Sequence, residues 1–226
     1  MSSIDQAQPT SGRLDSVNVG TPRQVEWHGR IVETSIWKHP VDAPVPVRGV
    51  NLRGDDQADR RVHGGPDKAV YAYSSEDYLW WATTLGIELT PGTFGENLTV
   101  GGLALNDALV GERWQVGSTI LEVSQPRLPC FKLGIRMGDP GFGKTFEAAE
   151  RFGVYLRIVE EGLVEAGDPI KVVFRPDHDL TTTELGRSSP RPSTAMIERI
   201  LAVPQTPDSW REWAELARHH HSRLSD

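Results

Sequence analysis

The only cysteine of the chain, Cys130, lies in the stretch Ser124-Gln125-Pro126-Arg127-Leu128-Pro129-Cys130-Phe131-Lys132, flanked by two cations and preceded by two prolines. Neighbouring cations favour the thiolate, which is both a nucleophile and a soft metal ligand. Pro129 suits the first position of a helix, where its missing N–H costs nothing. That places Cys130 in a helix's first turn, where unpaired N–H groups favour negative charge. A lone cysteine is more commonly a small buried hydrophobe. An inert core thiol, however, has no use for Arg127 and Lys132 or for an approach stiffened by proline.

A second cluster precedes it. In Arg60-Arg61-Val62-His63-Gly64-Gly65-Pro66-Asp67-Lys68 two glycines stand beside a histidine and two arginines. Glycine lets backbone N–H groups come close to a phosphate or carbonyl, although a Gly-Gly-Pro-Asp turn needs no ligand and a single His63 is commonly structural. Asn97 sits in Phe94-Gly95-Glu96-Asn97-Leu98, where its amide can meet a ring edge or simply satisfy a turn. The mixed-sign run 55–61 reads as a solvated loop. Cys130 and Arg136 have the Cys-x5-Arg spacing of cysteine phosphatases, but bulky Phe131, Lys132, Leu133 and Ile135 oppose a phosphate cradle of backbone N–H groups. His219-His220-His221 point in different directions on a helix and read as a solvated tail.

The elements that must position these groups are mainly short strands. Apolar runs at 14–19, 25–27, 31–37, 45–52, 69–73, 113–116, 119–125, 154–160 and 170–174 alternate with Gly and Pro turns, a spacing that suits a β-barrel or sandwich. Ser74 caps the clearest helix, which carries Tyr78, Trp81, Ala82 and Leu85 on one face and ends at Gly86. Another helix is expected near 145–151. After Pro176 the pattern changes: 181–185 is at best one helical turn, Ser188-Ser189-Pro190-Arg191-Pro192 breaks the chain, and 194–202 reads helical. A last helix, capped by Thr206-Pro207-Asp208, sets Trp210, Trp213 and Ala217 on one side. The expected organisation is a disordered tail at 1–12, a mainly β barrel domain at 13–176 with a few peripheral helices, and a small helical appendage at 177–226.

The formal charge of −7 argues against a general nucleic-acid or acidic-membrane surface. One cysteine allows no intrachain disulfide, which fits a reducing compartment. The polar N-terminus has no signal-like apolar region, and no run is long enough to span a membrane. The expected location is the cytoplasm.

Three motifs together resemble the MOSC domain, named after the C-terminal domain of molybdenum cofactor sulfurase, and most closely its stand-alone bacterial, YiiM-like branch. They are the run from Gly54-Asp55-Asp56 to Gly64-Gly65-Pro66-Asp67, then Phe94-Gly95-Glu96-Asn97-Leu98, and Gln125-Pro126-Arg127-Leu128-Pro129-Cys130-Phe131-Lys132-Leu133. The resemblance spans roughly residues 13–174. It implies a β-barrel core holding molybdenum cofactor (molybdopterin), with Cys130 as the metal ligand. Arg60, Arg61, His63, Gly64, Gly65, Asn97, Arg127 and Lys132 are then the positions for holding the pterin and its phosphate, and His63 is the candidate proton donor. The implied activity is reduction of N-hydroxylated compounds, such as N-hydroxylated nucleobases, in detoxification. A separate protein must deliver electrons, since no flavin, haem or iron–sulfur motif is visible. A homodimer is compatible with the family. The alternative function is sulfur transfer through a Cys130 persulfide. The appendage matches a three-helix unit of the branch whose first helix looks eroded here.

Overall fold

Alternation along the chain produces short strands, and buried residues on both faces show which of them are central. The computed structural model describes residues 9–57 and 64–225, with side chains through residue 221, so the expectations for residues 1–8 and for Arg60, Arg61 and His63 lie outside the described residues. The strands are β1 (Ser11–Val19), β2 (Arg23–Trp27), β3 (Arg30–Thr34), β4 (His39–Pro40), β5 (Val45–Arg48), β6 (Asn51–Leu52), β7 (Val70–Ser74), β8 (Leu98–Gly101), β9 (Arg113–Val116), β10 (Thr119–Pro126), β11 (Val154–Glu160), β12 (Gly162–Val164) and β13 (Pro169–Phe174). The helices are α1 (Ser75–Leu85), α2 (Phe131–Met137), α3 (Phe142–Ala149), α4 (Thr182–Ser188), α5 (Thr194–Ala202) and α6 (Asp208–Ser225).

The expected barrel is present. Its strands run in the order β13-β9-β10-β11-β7-β8-β1, and pairing of β13 with β1 seals the ring. Neighbours are antiparallel except β7 and β8, which run parallel. Closure leaves the seven strands with no open edge. Side chains alternate across each strand, so on β7 Val70 and Ala72 enter the aliphatic barrel interior with Leu98, Leu121, Val123 and Leu156. Tyr71 and Tyr73 project from the opposite face into an aromatic layer with Trp81, Phe94, Phe142, Phe146 and Phe152. That layer is roofed by α1, α2 and α3.

Helix α1 starts and stops as its sequence dictates: the Ser74 hydroxyl accepts from Asp77 N, and Gly86 ends the helix with φ 67°. Helix α3 begins earlier than expected, at Phe142. Helix α4 is a full seven-residue helix rather than a single turn. Thr181 and Glu184 form a reciprocal capping box that offsets its short apolar pattern. Together α4, α5 and α6 enclose a third cluster around Leu185, Ile197, Ile200 and Trp210. Among the described residues no helix is long and apolar enough to cross a membrane.

Candidate functional site

Strand β10 carries the chain toward Cys130. Its pairing with β11 shifts register between Val123 and Gln125, a bulge that turns the end of the strand. Beyond it, Cys130 is extended (φ −126°, ψ 168°) and serves as the N-cap of α2. The helix therefore starts at Phe131, one residue later than a first-turn Cys130 requires. The Cys130 carbonyl accepts from Leu133 N at 3.0 Å, as an N-cap carbonyl does.

Cys130 opens into a cleft against the outer face of the barrel, lined also by Lys38, Lys68, Tyr71, Asn97, Arg127, Lys132 and Tyr155. The barrel interior itself is filled almost entirely with aliphatic side chains, and this cleft lies on its outer flank. Three of the residues singled out in the sequence, Arg127, Cys130 and Lys132, meet in that cleft, together with Asn97. Gly64 and Gly65 lie at the loop leading to a 3-10 turn at Pro66–Lys68, with Gly65 at φ 92°. They do not line the cleft, which the last residue of that turn, Lys68, reaches instead.

Arg127 is the central charge. Only 6% exposed, it lies 5.5 Å from the ring centres of both Tyr71 and Phe146. Such faces stabilise a desolvated cation. Burial opposes its charge, but the electrostatic pull of Tyr71, Cys130 and Tyr155 outweighs it and holds the guanidinium above its ordinary pKa. Its Nη1 has no hydrogen-bond partner among the described residues. A buried N–H without an acceptor is costly and marks where an anionic or carbonyl oxygen fits.

Asn97 is less available. Its Oδ1 accepts from Tyr71 N at 3.1 Å, and its Nδ2 donates to Asp55 Oδ2 at 3.0 Å and to the Asn18 carbonyl at 3.3 Å. Asn97 thus braces the cleft floor. Asp55 belongs to the run expected to be a solvated loop, and the structure corrects that: its side chain is 1% exposed and both carboxylate oxygens accept from Lys38 Nζ at 2.5 Å. It also accepts from Gly20 N at 2.8 Å. Burial pulls the Lys38 pKa down, and Asp55 opposes that effect.

Lys38, Lys68, Tyr71 and Tyr155 escaped sequence reasoning. The tyrosines read as ordinary strand residues, and Lys38 carried no local signal. Lys68 directly follows the Gly-Gly-Pro-Asp motif, the one clue to its position. Burial lowers its pKa, partly offset by Asp67. Arg136, by contrast, hydrogen-bonds Thr93 at 3.4 Å, and α2 begins directly after Cys130, which leaves no phosphatase-like loop. Among the described residues no group of three His, Cys, Asp or Glu side chains is placed to hold a metal ion, the C-terminal histidines included.

The helical appendage is tied to this site. Trp210 Nε1 donates to Gln125 Oε1 at 2.8 Å, and Gln125 Nε2 donates to the Asp67 carbonyl at 3.3 Å. Arg157 joins Asp67, Glu122 and the Gln205 carbonyl. The cysteine strand, the turn bearing Lys68 and the link between α5 and α6 are therefore parts of one network.

The MOSC domain model matches residues 59–171. The uncharacterized protein YflK of Bacillus subtilis is 35% identical over 198 residues, covering 87% of this chain and 90% of that protein. A protein named Reductase from Gibberella moniliformis is 32% identical over 172 residues, covering 74% of this chain and 30% of its own length. The crystal structure of YiiM from Geobacillus stearothermophilus matches with a TM-score of 0.75 at 32% identity, over 91% of this chain and 98% of that one.

Proposed function

The chain belongs to the MOSC domain family, and on that premise we propose that it is a molybdenum-cofactor-dependent reductase of N-hydroxylated compounds, such as N-hydroxylated nucleobases, with Cys130 as the protein ligand to molybdenum. One observation carries this reading: buried Arg127, whose Nη1 has no hydrogen-bond partner among the described residues, lines the cleft that also holds the thiol. That pairing suits a group with a soft metal at one end and anionic oxygens at the other. The name of the Gibberella relative is in keeping with reduction.

When bound, the cofactor supplies the two-electron chemistry, so that R–NHOH with two electrons and two protons gives R–NH2 and water. The chain's own residues bind, orient and protonate. Arg127 and Lys132 anchor the anionic end, while Tyr71 and Tyr155 wall it from water. Arg60 and Arg61 are further donors in this reading, whereas Gly64 and Gly65, which do not line the cleft, are not. His63 is a proton donor by its near-neutral intrinsic pKa, and Lys68, made more acidic by burial, is a second. Electrons come from a separate redox protein.

The test is molybdenum analysis with pterin fluorescence on protein from cells that make the cofactor, comparing wild type with Cys130→Ala. Molybdenum and pterin in the wild type, lost in the variant while the circular dichroism is unchanged, is the expected result. Sulfane sulfur on Cys130 with no metal in either protein would replace the reductase by a sulfur carrier.

A further inference from the structure

Cys130 borders a second chamber, of about 360 Å³, between the barrel and the C-terminal helices. Lys68, Cys130 and Tyr155 line both spaces, so Cys130 stands where they meet. Their remaining walls differ in kind. The first is cationic and amide-rich through Lys38, Arg127, Lys132 and Asn97. The second is walled by Trp210, Trp213, Leu128 and two prolines, with the hydroxyl residues Ser189 and Ser209. An anionic group partitions to the first, and a flat, uncharged ring to the second.

Resting on the reductase reading, we propose that this second chamber is the substrate pocket and that Trp213 selects planar heteroaromatic N-hydroxylated compounds over small aliphatic ones. The geometry of the tryptophan pair supports this. Trp210 is fixed: it is 8% exposed and its indole N–H is bonded to Gln125 at 2.8 Å. Trp213 meets it edge to face, with ring centres 5.2 Å apart at 87°. Whichever ring supplies the edge, that arrangement leaves Trp213 at least one face not covered by Trp210. Trp213 is half-buried, and its open surface is shared between this chamber and a neighbouring groove at Pro190 and Pro192. The volume lies within the range of small-molecule pockets and admits a bicyclic base. A stacked base places its exocyclic N–OH toward the Cys130 side, where the two chambers join.

The experiment measures binding first and turnover second. Cofactor-free wild type, Trp213→Ala and Trp213→Phe are titrated calorimetrically with N6-hydroxyadenine. The loaded enzymes are then assayed with that base and with acetohydroxamic acid, using a chemical electron donor. The expected result is base binding weakened roughly ten-fold by Trp213→Ala, largely restored by Trp213→Phe, with acetohydroxamate turnover falling less than turnover of the base. Failure of the wild type to bind the base, or equal binding by a folded Trp213→Ala, overturns the pocket assignment. Equal loss of turnover on both substrates in Trp213→Ala also overturns it, because a structural defect would do the same. Base binding that depends on Trp213 in a loaded protein that reduces neither compound keeps the pocket and rejects the reductase reading.

Discussion

The two faces of strand β7 bury their side chains in different chemistry. Inward lies an aliphatic interior around Val70, Ala72, Leu121 and Val123; outward lies an aromatic layer around Tyr71, Tyr73, Trp81, Phe94 and Phe146. Aliphatic packing has nothing to offer a charge. The aromatic layer has ring faces for a cation and hydroxyls for hydrogen bonds, and beside it lie Arg127 and Glu96, both buried. Tyr73 illustrates the difference: its ring lies 4.6 Å from Phe94 while its hydroxyl accepts from Trp81 Nε1 at 2.7 Å. A barrel wall with one dry face and one polar-tolerant face can be rigid and still carry a charged site, provided that the site sits on the outside.

That division predicts that stability and cofactor retention respond to different substitutions. Leu121 is fully buried in the interior, and Leu121→Ala should cost about 2–5 kcal/mol of stability. Molybdenum per folded molecule should not change. A parallel fall in occupancy, measured by metal analysis on the soluble folded fraction, would show that the interior and the flank are not separable.

Arg127→Met reverses the pattern. A charge-assisted hydrogen bond contributes about 1.5–3 kcal/mol, so cofactor affinity should fall roughly 10- to 100-fold. Stability should fall by no more than about 1 kcal/mol, because methionine fills the apolar space and removes an unpartnered buried N–H. A large drop in the unfolding midpoint with normal cofactor content would make Arg127 a structural cation and remove the main support for the anion-binding reading.

Much of this division was legible in the chain. The strands announced themselves by alternation, α1 by Ser74 and Gly86, and the site by the cations around Cys130. What escaped was long-range. Asp55 looks like one more charge in an acidic and basic run, and only the fold brings Lys38, seventeen residues earlier, against it. Tyr71 and Tyr155 occupy strand positions that would serve equally well as plain core, and their role comes from the outer face of the barrel. Helix α4 carries a single large apolar residue, Leu185, so periodicity was silent while the Thr181–Glu184 box was decisive. Cys130 shows the reverse: its neighbours revealed its chemistry, but its extended backbone moved the helix start to Phe131.

Glu96 gives the smallest and most diagnostic effect, because it places a carboxyl in the polar-tolerant region with incomplete partners. Its Oε1 accepts from Tyr78 Oη at 2.6 Å, Gly92 N at 2.6 Å and Thr99 Oγ1 at 2.9 Å. Its Oε2 has no partner among the described residues. Burial raises its pKa, and the hydrogen bonds only partly oppose that. With the folded value above the unfolded one, the unfolded chain releases this proton first as pH rises. Stability from this group is therefore present below the unfolded value of 4.5 and is lost progressively up to the raised folded value. Each unit of upward shift corresponds to about 1.4 kcal/mol. Glu96→Gln cannot titrate, so its stability relative to wild type should improve between pH 4.5 and pH 8 in urea unfolding, whatever its offset at the acid end. Groups common to both proteins cancel from that difference. Parallel stability curves for variant and wild type would mean that Glu96 titrates as it does in the unfolded chain, and that the aromatic flank solvates a carboxylate as well as it accommodates the Arg127 cation.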